Sequence, residues 1–291
     1  MFESWFLFAV LTAAIYGAQA AYLKGLTDDI DQMLVTWSLF VFALPMFAGA
    51  LAWWGVPKVD SASFWPAFAV SITVNLIAWP VFVRSVRISD ISLVMPLLAF
   101  TPVFVLLIEY VVLGEAPDGY GLAGILLIVA GAYVLNVRAG FSAVLDPLRS
   151  VATDRGALYM LFVAAIWSIS ATVEKITVTS SSPSYYMTMF GLFFVACFFP
   201  VMRRVGDVSF RDFREHSLVL AGAGTLTGAM ALVQMTAIKT TPLVNYVISI
   251  KRAGMLVAVL FGWLLFDEEN ILFRLIGALI MIAGVGLIKI A

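Results

Sequence analysis

Long apolar stretches, almost free of charged residues, follow one another along the whole chain. A helix that crosses the hydrocarbon core of a bilayer needs about 20 apolar residues, and each stretch has about that length. Because the stretches are continuously apolar and do not alternate with a period of two, they predict helices and not the strands of a transmembrane barrel. Ten spans are predicted, at residues 3–24, 33–55, 63–84, 90–113, 119–137, 156–177, 184–203, 216–238, 242–266 and 271–290. The expected fold is an all-α integral membrane protein.

The composition argues against several other classes of protein. The 291 residues are 63% hydrophobic and 12% charged, with a mean hydropathy of +1.03, which a water-soluble core could not accommodate. A net charge of −1 gives no basic excess for nucleic acid. One cysteine, Cys197, and one histidine, His216, allow neither a disulfide framework nor the usual metal-ligand cluster. We therefore expect no metal, no cofactor and no enzymatic activity, because the sequence contains no recognisable catalytic cluster.

The two halves of the sequence share one plan. A constant offset places residues 84–136 beneath residues 237–289. The aligned pairs include Gly124 with Gly277, Gly131 with Gly284, and Glu115 with Glu268. We predict a first five-helix repeat at 1–140, a linker at 141–155 and a second five-helix repeat at 156–291. Because five is an odd number, the second repeat must enter the membrane in the inverted orientation, as happens in many secondary transporters.

Two kinds of segment carry a resemblance to a known family. The front of each half, IYGAQAAYLK and IWSISATVEK, has an aromatic residue in mid-helix and a lysine eight residues later, at Lys24 and Lys175. A later block, at residues 92–115 and again at 245–268, is a helix followed by a short acidic turn. The chain resembles the drug/metabolite transporter superfamily, and within it the ten-helix EamA-type proteins. The resemblance implies a central cavity between two five-helix halves and transport of a metabolite by alternating access, often outward.

Two adjacent cations, Lys251 and Arg252, stand in the middle of the ninth span. A charged side chain near the centre of a membrane helix costs about 2.5–3.5 kcal/mol on insertion scales, so such residues usually face protein, water or substrate. An antiparallel arrangement of the helices brings Glu109, Glu174 and Lys175 into the same half of the membrane. One interpretation is an internal ion-pair network in which the two carboxylates neutralise the central pair. The three cations nevertheless outnumber the two carboxylates, and a residual positive charge suits an anion.

The central pair therefore predicts a site for an anionic group of a substrate. The planar fork of Arg252 suits a carboxylate or phosphate, whereas Lys251 acts as a point charge. Adjacent residues on a helix point about 100° apart, so we expect Arg252 to face the cavity and Lys251 to pair with a carboxylate. A buried Glu109 or Glu174 could instead exchange a coupling proton as the conformation changes.

Polar and aromatic residues within the spans are candidates for lining the same cavity. They are Tyr16, Gln19, Tyr22, Asn75, Trp79, Trp167, Ser170, Gln234, Asn245, Tyr246 and Ser249. Each polar member could instead bond a neighbouring helix for about 0.6 kcal/mol, and each tryptophan could pack in the core. An aromatic cage for a quaternary ammonium would use the same residues, but the cations at 251 and 252 argue against it.

Small residues and prolines have a structural interpretation. Glycines at seven-residue spacing on the fifth and tenth spans predict close helix contacts; they are Gly124, Gly131, Gly277 and Gly284. Pro96 and Pro102 on the fourth span lack an amide proton, and we expect them to form a hinge.

These observations together predict a secondary-active transporter of a small metabolite, anionic or bearing a carboxylate or phosphate. The expected partners are the small-molecule substrate, a coupling proton and membrane lipid, and no nucleic acid. Two alternatives stay open: a flippase for a phosphate-linked lipid, and an exporter of amino acids or other zwitterionic or cationic metabolites. We expect a multi-pass protein of a prokaryotic inner (plasma) membrane.

The distribution of basic residues predicts the orientation. Face A of the membrane carries both termini and the loops after even-numbered spans, and its loops and C-terminus hold few basic residues, Lys58, Lys239 and Lys289. Face B carries most of the arginines, and the basic face is normally cytoplasmic. This count favours termini outside, whereas the family that the chain resembles commonly has both termini inside.

We expect a C-terminal reporter that is active only in the cytoplasm to stay silent, because the basic residues hold face B inside. Fusion of the same reporter within the 141–155 linker is the control and should give activity. An active C-terminal fusion would reverse the assignment.

Overall fold

The computed structural model describes residues 4–23, 30–136, 145–206, 208–257 and 271–291. All regular elements in these ranges are helices. The long ones are α1 (Ser4–Leu23), α2 (Gln32–Trp54), α3 (Ser61–Ile88), α6 (Gly119–Asn136), α8 (Arg155–Thr179), α9 (Pro183–Val205), α11 (Ser217–Thr240) and α13 (Ile271–Ile290). The shorter ones are α4 (Ile91–Val94), a 3₁₀ helix (Met95–Phe100), α5 (Thr101–Leu113), α7 (Asp146–Ser150), α10 (Phe210–Glu215) and α12 (Val244–Ala253).

The lengths and the composition of the helices agree with a membrane protein. Seven described helical segments are long and apolar enough to cross a bilayer, and two shorter apolar helices occur at Gly119–Leu135 and Ile276–Ile290. The ninth predicted span, 242–266, is described only to residue 257, so the count of ten stays a prediction. Lys24 and the second acidic turn, with Glu268, lie outside the described residues, as do linker residues 141–144.

Short polar residues fix where several helices begin. Asp31, Asp60 and Asp154 precede α2, α3 and α8, and each side chain accepts a hydrogen bond from an amide of the first turn. These amides have no partner within their helix, so a capping side chain satisfies them. Ser89 Oγ donates a further hydrogen bond to Asp154, 2.6 Å long, and lowers the pKa of that carboxyl. The local sequence thus determines where these three helices begin.

The fourth span is not one continuous helix. Pro96 opens the 3₁₀ segment and Pro102 opens α5, so the span is divided into α4, the 3₁₀ helix and α5. Proline cannot donate the backbone hydrogen bond of an α-helix interior, which explains why a new segment begins at each one. The second repeat is interrupted as well, because α12 ends at Ala253 and a turn follows at Gly254. The first interruption lies within a described segment that is long enough to cross a membrane, and the second lies within the predicted ninth span.

The packing of the helices follows the repeat. Helix α3 lies against α8 and α1 lies against α11, so each repeat contributes one helix to each pair. The corresponding helices of the two repeats also pack together, α2 on α9 and α6 on α13. The predicted glycine contacts are confirmed in the last pair, where Gly124 meets Gly284 and Gly131 meets Gly277. These contacts show that α6 and α13 run in opposite directions.

The contact between α6 and α13 predicts that Gly284→Ala destabilises the protein. A Cβ at residue 284 would lie 2.7 Å from the Gly124 carbonyl oxygen, and a backbone atom cannot move aside as a side chain end can. Overpacking of this kind costs about 1–3 kcal/mol, and we expect the melting temperature of the purified protein to fall by several degrees.

The matched control is Gly286→Ala, two residues further along the same helix. A Cβ at residue 286 would have no heavy atom within 4 Å, and its effect should be neutral or slightly stabilising. Equal melting temperatures for the two variants would mean that the close contact does not exist.

Candidate functional site

A cavity of about 300 Å³ lies between the two repeats and is lined by residues from both. Most of the residues singled out from the sequence lie in its wall. They are Tyr16, Gln19, Asn75, Trp79, Trp167, Ser170, Glu174, Gln234, Lys251 and Arg252. Tyr16 and Trp167, the mid-helix aromatics of the two repeats, therefore line one chamber. A cavity of this size can enclose a small metabolite.

Arg252 lies in the last turn of α12 and is only 9% exposed. Its guanidinium donates a hydrogen bond of 2.8 Å to Thr101 Oγ1. Thr101 Oγ1 in turn donates its own proton to the Leu98 carbonyl oxygen, at 2.7 Å, so towards the guanidinium it acts only as an acceptor. Arginine has five N–H donors, and Thr101 is the sole hydrogen-bond partner of this side chain among the residues described. Arg252 therefore has N–H donors that no described residue uses, and the residue lines the cavity.

Lys251 lines the cavity as well, contrary to the expectation that one of the two cations would turn away. Its Nζ donates to Gln234 Oε1 at 2.7 Å and lies 5.3 Å from the centre of the Tyr16 ring. Both side chains are long, so they can reach one chamber although adjacent helix positions point about 100° apart. A polar amide and an aromatic face together hold this charge.

Glu174 on α8 is fixed by a buried polar cluster. Ser170 Oγ donates to the Glu174 carboxylate at 3.0 Å and accepts a hydrogen bond of 2.7 Å from Asn75. Ser71 contacts Ser170 at 3.1 Å and Tyr186 at 2.8 Å, and the Tyr186 hydroxyl also interacts with the carboxyl group. This cluster joins α3, α8 and α9. Glu174 also interacts electrostatically with Lys251, although the two form no ion pair within 4 Å.

Glu109 lies apart from the cavity, although it was grouped with the central cations in the sequence. Its carboxylate accepts hydrogen bonds from the amides of Val244 at 2.6 Å and Asn245 at 3.2 Å, at the start of α12. Glu109 is 1% exposed, and amides at a helix N-terminus are a natural partner for a buried carboxylate. The residue thus fastens α5 of the first repeat to α12 of the second.

Lys175 has a similar fastening role on the same face of the protein. Its Nζ donates to the carbonyl oxygens of Thr241 and Pro242, at 2.6 and 3.1 Å, just after α11. Carbonyls at a helix C-terminus lack partners within the helix, so a lysine there is well placed. The alternative interpretation of the sequence was an ion-pair network of four residues, Glu109, Glu174, Lys251 and Arg252. Within the described ranges, none of the four has an ion-pair partner within 4 Å, so these distances contradict that interpretation.

Three further candidates on α12 lie outside the cavity wall. Asn245 donates to the Pro102 carbonyl oxygen at 2.8 Å and accepts from Ser249 at 3.0 Å. The Tyr246 ring stacks on Trp5, with centroids 5.9 Å apart. These contacts position α12 against α5 and α1. Tyr22, another sequence candidate, packs beside Gly222 of α11 and also lies outside the wall.

Three aromatic residues form a cluster in the cavity wall. Trp79 and Phe82 on α3 pack against Trp167 on α8, with ring centroids 5.2 and 5.6 Å from that of Trp167. The rings of Trp79 and Phe82 also meet edge to face at 5.9 Å. The tryptophans that were ambiguous in the sequence thus lie in the wall of the cavity.

Thr101, Tyr186 and Phe82 were not identified from the sequence. Thr101 could have been noticed as the polar residue between an apolar run and Pro102, at the interruption of the span. Tyr186 lies three residues after the start of α9, where an interfacial tyrosine is common, and its sequence gives no sign of a buried partner. Phe82 is one of 23 phenylalanines, and no local signal distinguishes it.

A wider depression of about 1,020 Å³ opens among the loops of face A. It is lined by Lys58, Asp60, Glu115 and Lys175 among others, so its acids and bases balance. Lys175 follows Glu174 directly on α8, and the two side chains line the depression and the central cavity, respectively. The smaller cavity is the better candidate for a binding site because it is more enclosed and holds buried, incompletely paired charge.

Comparison with known proteins identifies the family. A profile of the EamA-like transporter family matches residues 3–137 and 154–290. A solved crystal structure matches with a TM-score of 0.81 over 99% of this chain and 99% of its own, at 15% sequence identity, which shows a shared fold. No curated protein matches the sequence. Because the family profile matches both halves and covers most of the length, this multi-pass membrane protein belongs to the EamA-like transporter family.

Proposed function

We propose that the protein is a secondary-active transporter of a small metabolite that bears a carboxylate or phosphate. The substrate binds in the central cavity, and alternating access exposes that cavity to one face of the membrane and then to the other. The family supports transport of a small molecule. The anionic character of the substrate is inferred from the residues of the cavity.

The observation that carries the proposal is the burial of Arg252 with only one described hydrogen-bond partner. The side chain is nine-tenths buried, lines the cavity and uses one donor on Thr101. Keeping an incompletely paired cation in such a place is costly. A substrate carboxylate or phosphate can accept two parallel N–H hydrogen bonds from a guanidinium, which gives both affinity and orientation.

The relation between the two repeats supports alternating access. Equivalent helices α6 and α13 run antiparallel across their glycine contacts, as a two-fold axis in the membrane plane requires. The interrupted fourth span and α12 meet through the bond between Arg252 and Thr101. Secondary transporters commonly place their sites at interrupted helices between inverted repeats. We propose ten spans in two inverted repeats on this basis.

Closure of face A is proposed to depend on contacts between the repeats. Glu109 joins α5 to the start of α12, and the Asp60 amide donates to the Ser180 carbonyl oxygen at 2.9 Å. Asp60 precedes α3 and Ser180 follows α8, so this bond also links one repeat to the other. Opening of the cavity towards face A would break these bonds.

A zwitterionic amino acid is the second candidate substrate. It is favoured by Glu174, which lines the same cavity and could receive an ammonium group while Arg252 holds the carboxylate. A flippase for a phosphate-linked lipid is the remaining alternative, and it would require the cavity, which residues from both repeats line, to open sideways towards the bilayer.

We predict that Arg252→Ala lowers substrate affinity in proteoliposomes by about tenfold to a hundredfold, because a hydrogen bond to a charged group contributes about 1.5–3 kcal/mol. Thr101→Val should raise the KM several-fold, since the guanidinium loses the group that orients it. Thr101→Ser keeps the hydroxyl and should restore the KM.

Arg204→Ala is the matched control, because Arg204 is an exposed arginine at the end of α9. It should leave flux unchanged. If Arg252→Ala and Lys251→Ala both transported every anionic candidate like the unmodified protein, the proposed anion site would be wrong.

We propose that Glu174 binds and releases the coupling proton, because it lines the cavity and interacts electrostatically with Lys251. We predict that an imposed pH gradient accelerates substrate flux and that Glu174→Gln, which cannot release a proton, abolishes this acceleration. Glu115→Gln, in the depression on face A, should retain it. Flux that ignores the gradient in the unmodified protein would exclude proton coupling.

A further inference from the structure

An aromatic cluster and a carboxylate line the central cavity at different heights along α8. Trp167 and Glu174 lie seven residues apart on the same face of α8, which is about 10 Å along the helix axis. Trp79 and Phe82 pack against Trp167, whereas Lys251 interacts with Glu174. The cavity therefore offers aromatic surface to one part of a ligand and charged groups to another.

When Glu174 is ionised, the charged side chains that line the cavity carry an excess of one positive charge. Among the described residues that line the cavity, Lys251 and Arg252 are the cations and Glu174 is the carboxylate. The remaining polar members of the wall, such as Gln234 and Thr101, are neutral. Glu174 forms no ion pair within 4 Å with either cation, so neither of them is fully matched by it.

A cavity inside an apolar bundle favours a ligand that brings its total charge to zero, because uncompensated charge is poorly solvated there. A ligand with one negative charge achieves this balance. A zwitterion leaves the positive excess in place, a dianion produces a negative excess, and a cation adds to the existing repulsion. A monoanion, a dianion and a zwitterion all carry an anionic group that Arg252 could bind. The total charge of the cavity therefore distinguishes among these ligands, whereas Arg252 alone does not.

We propose that the cavity selects an organic monoanion with a flat apolar body, that is, an aromatic or similarly apolar monocarboxylate. This inference rests on the proposed function, in that it takes the central cavity as the transport site. The carboxylate meets Arg252 and Lys251, and the apolar body covers Trp79, Trp167 and Phe82. Burial of that body removes apolar surface from water and adds edge contacts between rings.

Four probes that share a phenyl group test the charge preference with the purified protein. They are 3-phenylpropionate with one negative charge, phenylsuccinate with two, L-phenylalanine as a zwitterion and phenethylamine with one positive charge. We expect 3-phenylpropionate to bind at least tenfold more tightly than each of the others by titration calorimetry at pH 7. Acetate tests the apolar body and should bind much more weakly than 3-phenylpropionate.

Two substitutions should move the preference in opposite directions. Glu174→Gln raises the positive excess to two, and we expect phenylsuccinate to gain about tenfold relative to 3-phenylpropionate. Lys251→Gln removes the excess, and L-phenylalanine should gain relative to 3-phenylpropionate. In both variants the new glutamine carries an uncharged amide, which can form hydrogen bonds with the neighbours of the original side chain. Glu115→Gln, an acid outside the cavity, is the control and should leave all affinity ratios unchanged.

The outcomes separate this inference from the proposed function. If another probe binds best and Arg252→Ala abolishes its binding, the monoanion preference is wrong and the cavity remains the binding site. If the two substitutions leave the affinity ratios unchanged, or if no probe binds, the inference is also overturned. If 3-phenylpropionate binds equally well to the unmodified protein and to Arg252→Ala, the proposed anion site itself fails.

Discussion

Positive charge held inside an apolar helical bundle is the constraint on which the site depends. Water is the usual partner of a charged side chain, so the protein must supply other partners where water is scarce. Arg252 donates to the Thr101 hydroxyl, whose own proton is used on the Leu98 carbonyl oxygen. Lys251 donates to the Gln234 amide oxygen and lies beside the Tyr16 ring. These partners hold the cations without an ion pair among the described residues, which leaves charge for a ligand.

The interruptions of the spans follow from the same need. A continuous helix satisfies all of its backbone groups internally and offers none to a site. At Pro96 and Pro102 the fourth span changes its hydrogen-bonding pattern, and at Gly254 α12 ends. Side chains beside these two breaks then meet, because the Arg252 guanidinium donates to Thr101 Oγ1. Helix breaks here are part of the construction of the cavity wall.

Close helix contacts give this construction its frame. Gly124 and Gly131 allow the backbones of α6 and α13 to approach so closely that a methyl group would collide with a carbonyl oxygen. Such contacts are suited to a bilayer, where lipid is as apolar as the side chains and packing decides association. Glu109 and Lys175 add hydrogen bonds to backbone groups at helix ends and so join helices to one another. Other charged residues, Lys251 and Arg252, are the candidate ligands for a substrate.

The apolar lengths determined the long helices, and Asp31, Asp60 and Asp154 determined where three of them begin, because these properties depend on neighbours along the chain. The duplicated segments in the two halves carried the resemblance to the family. Tyr16 and Trp167 occupy equivalent positions in the two repeats, and both line the cavity. Only the tertiary structure decided the partners of each charge. Glu109 caps α12 and does not pair with Lys251, since side chains at similar predicted depth still point to different neighbours. Sequence order gives the depth of a residue in a helix, whereas the rotation of each helix and its tilt against the others decide which groups meet.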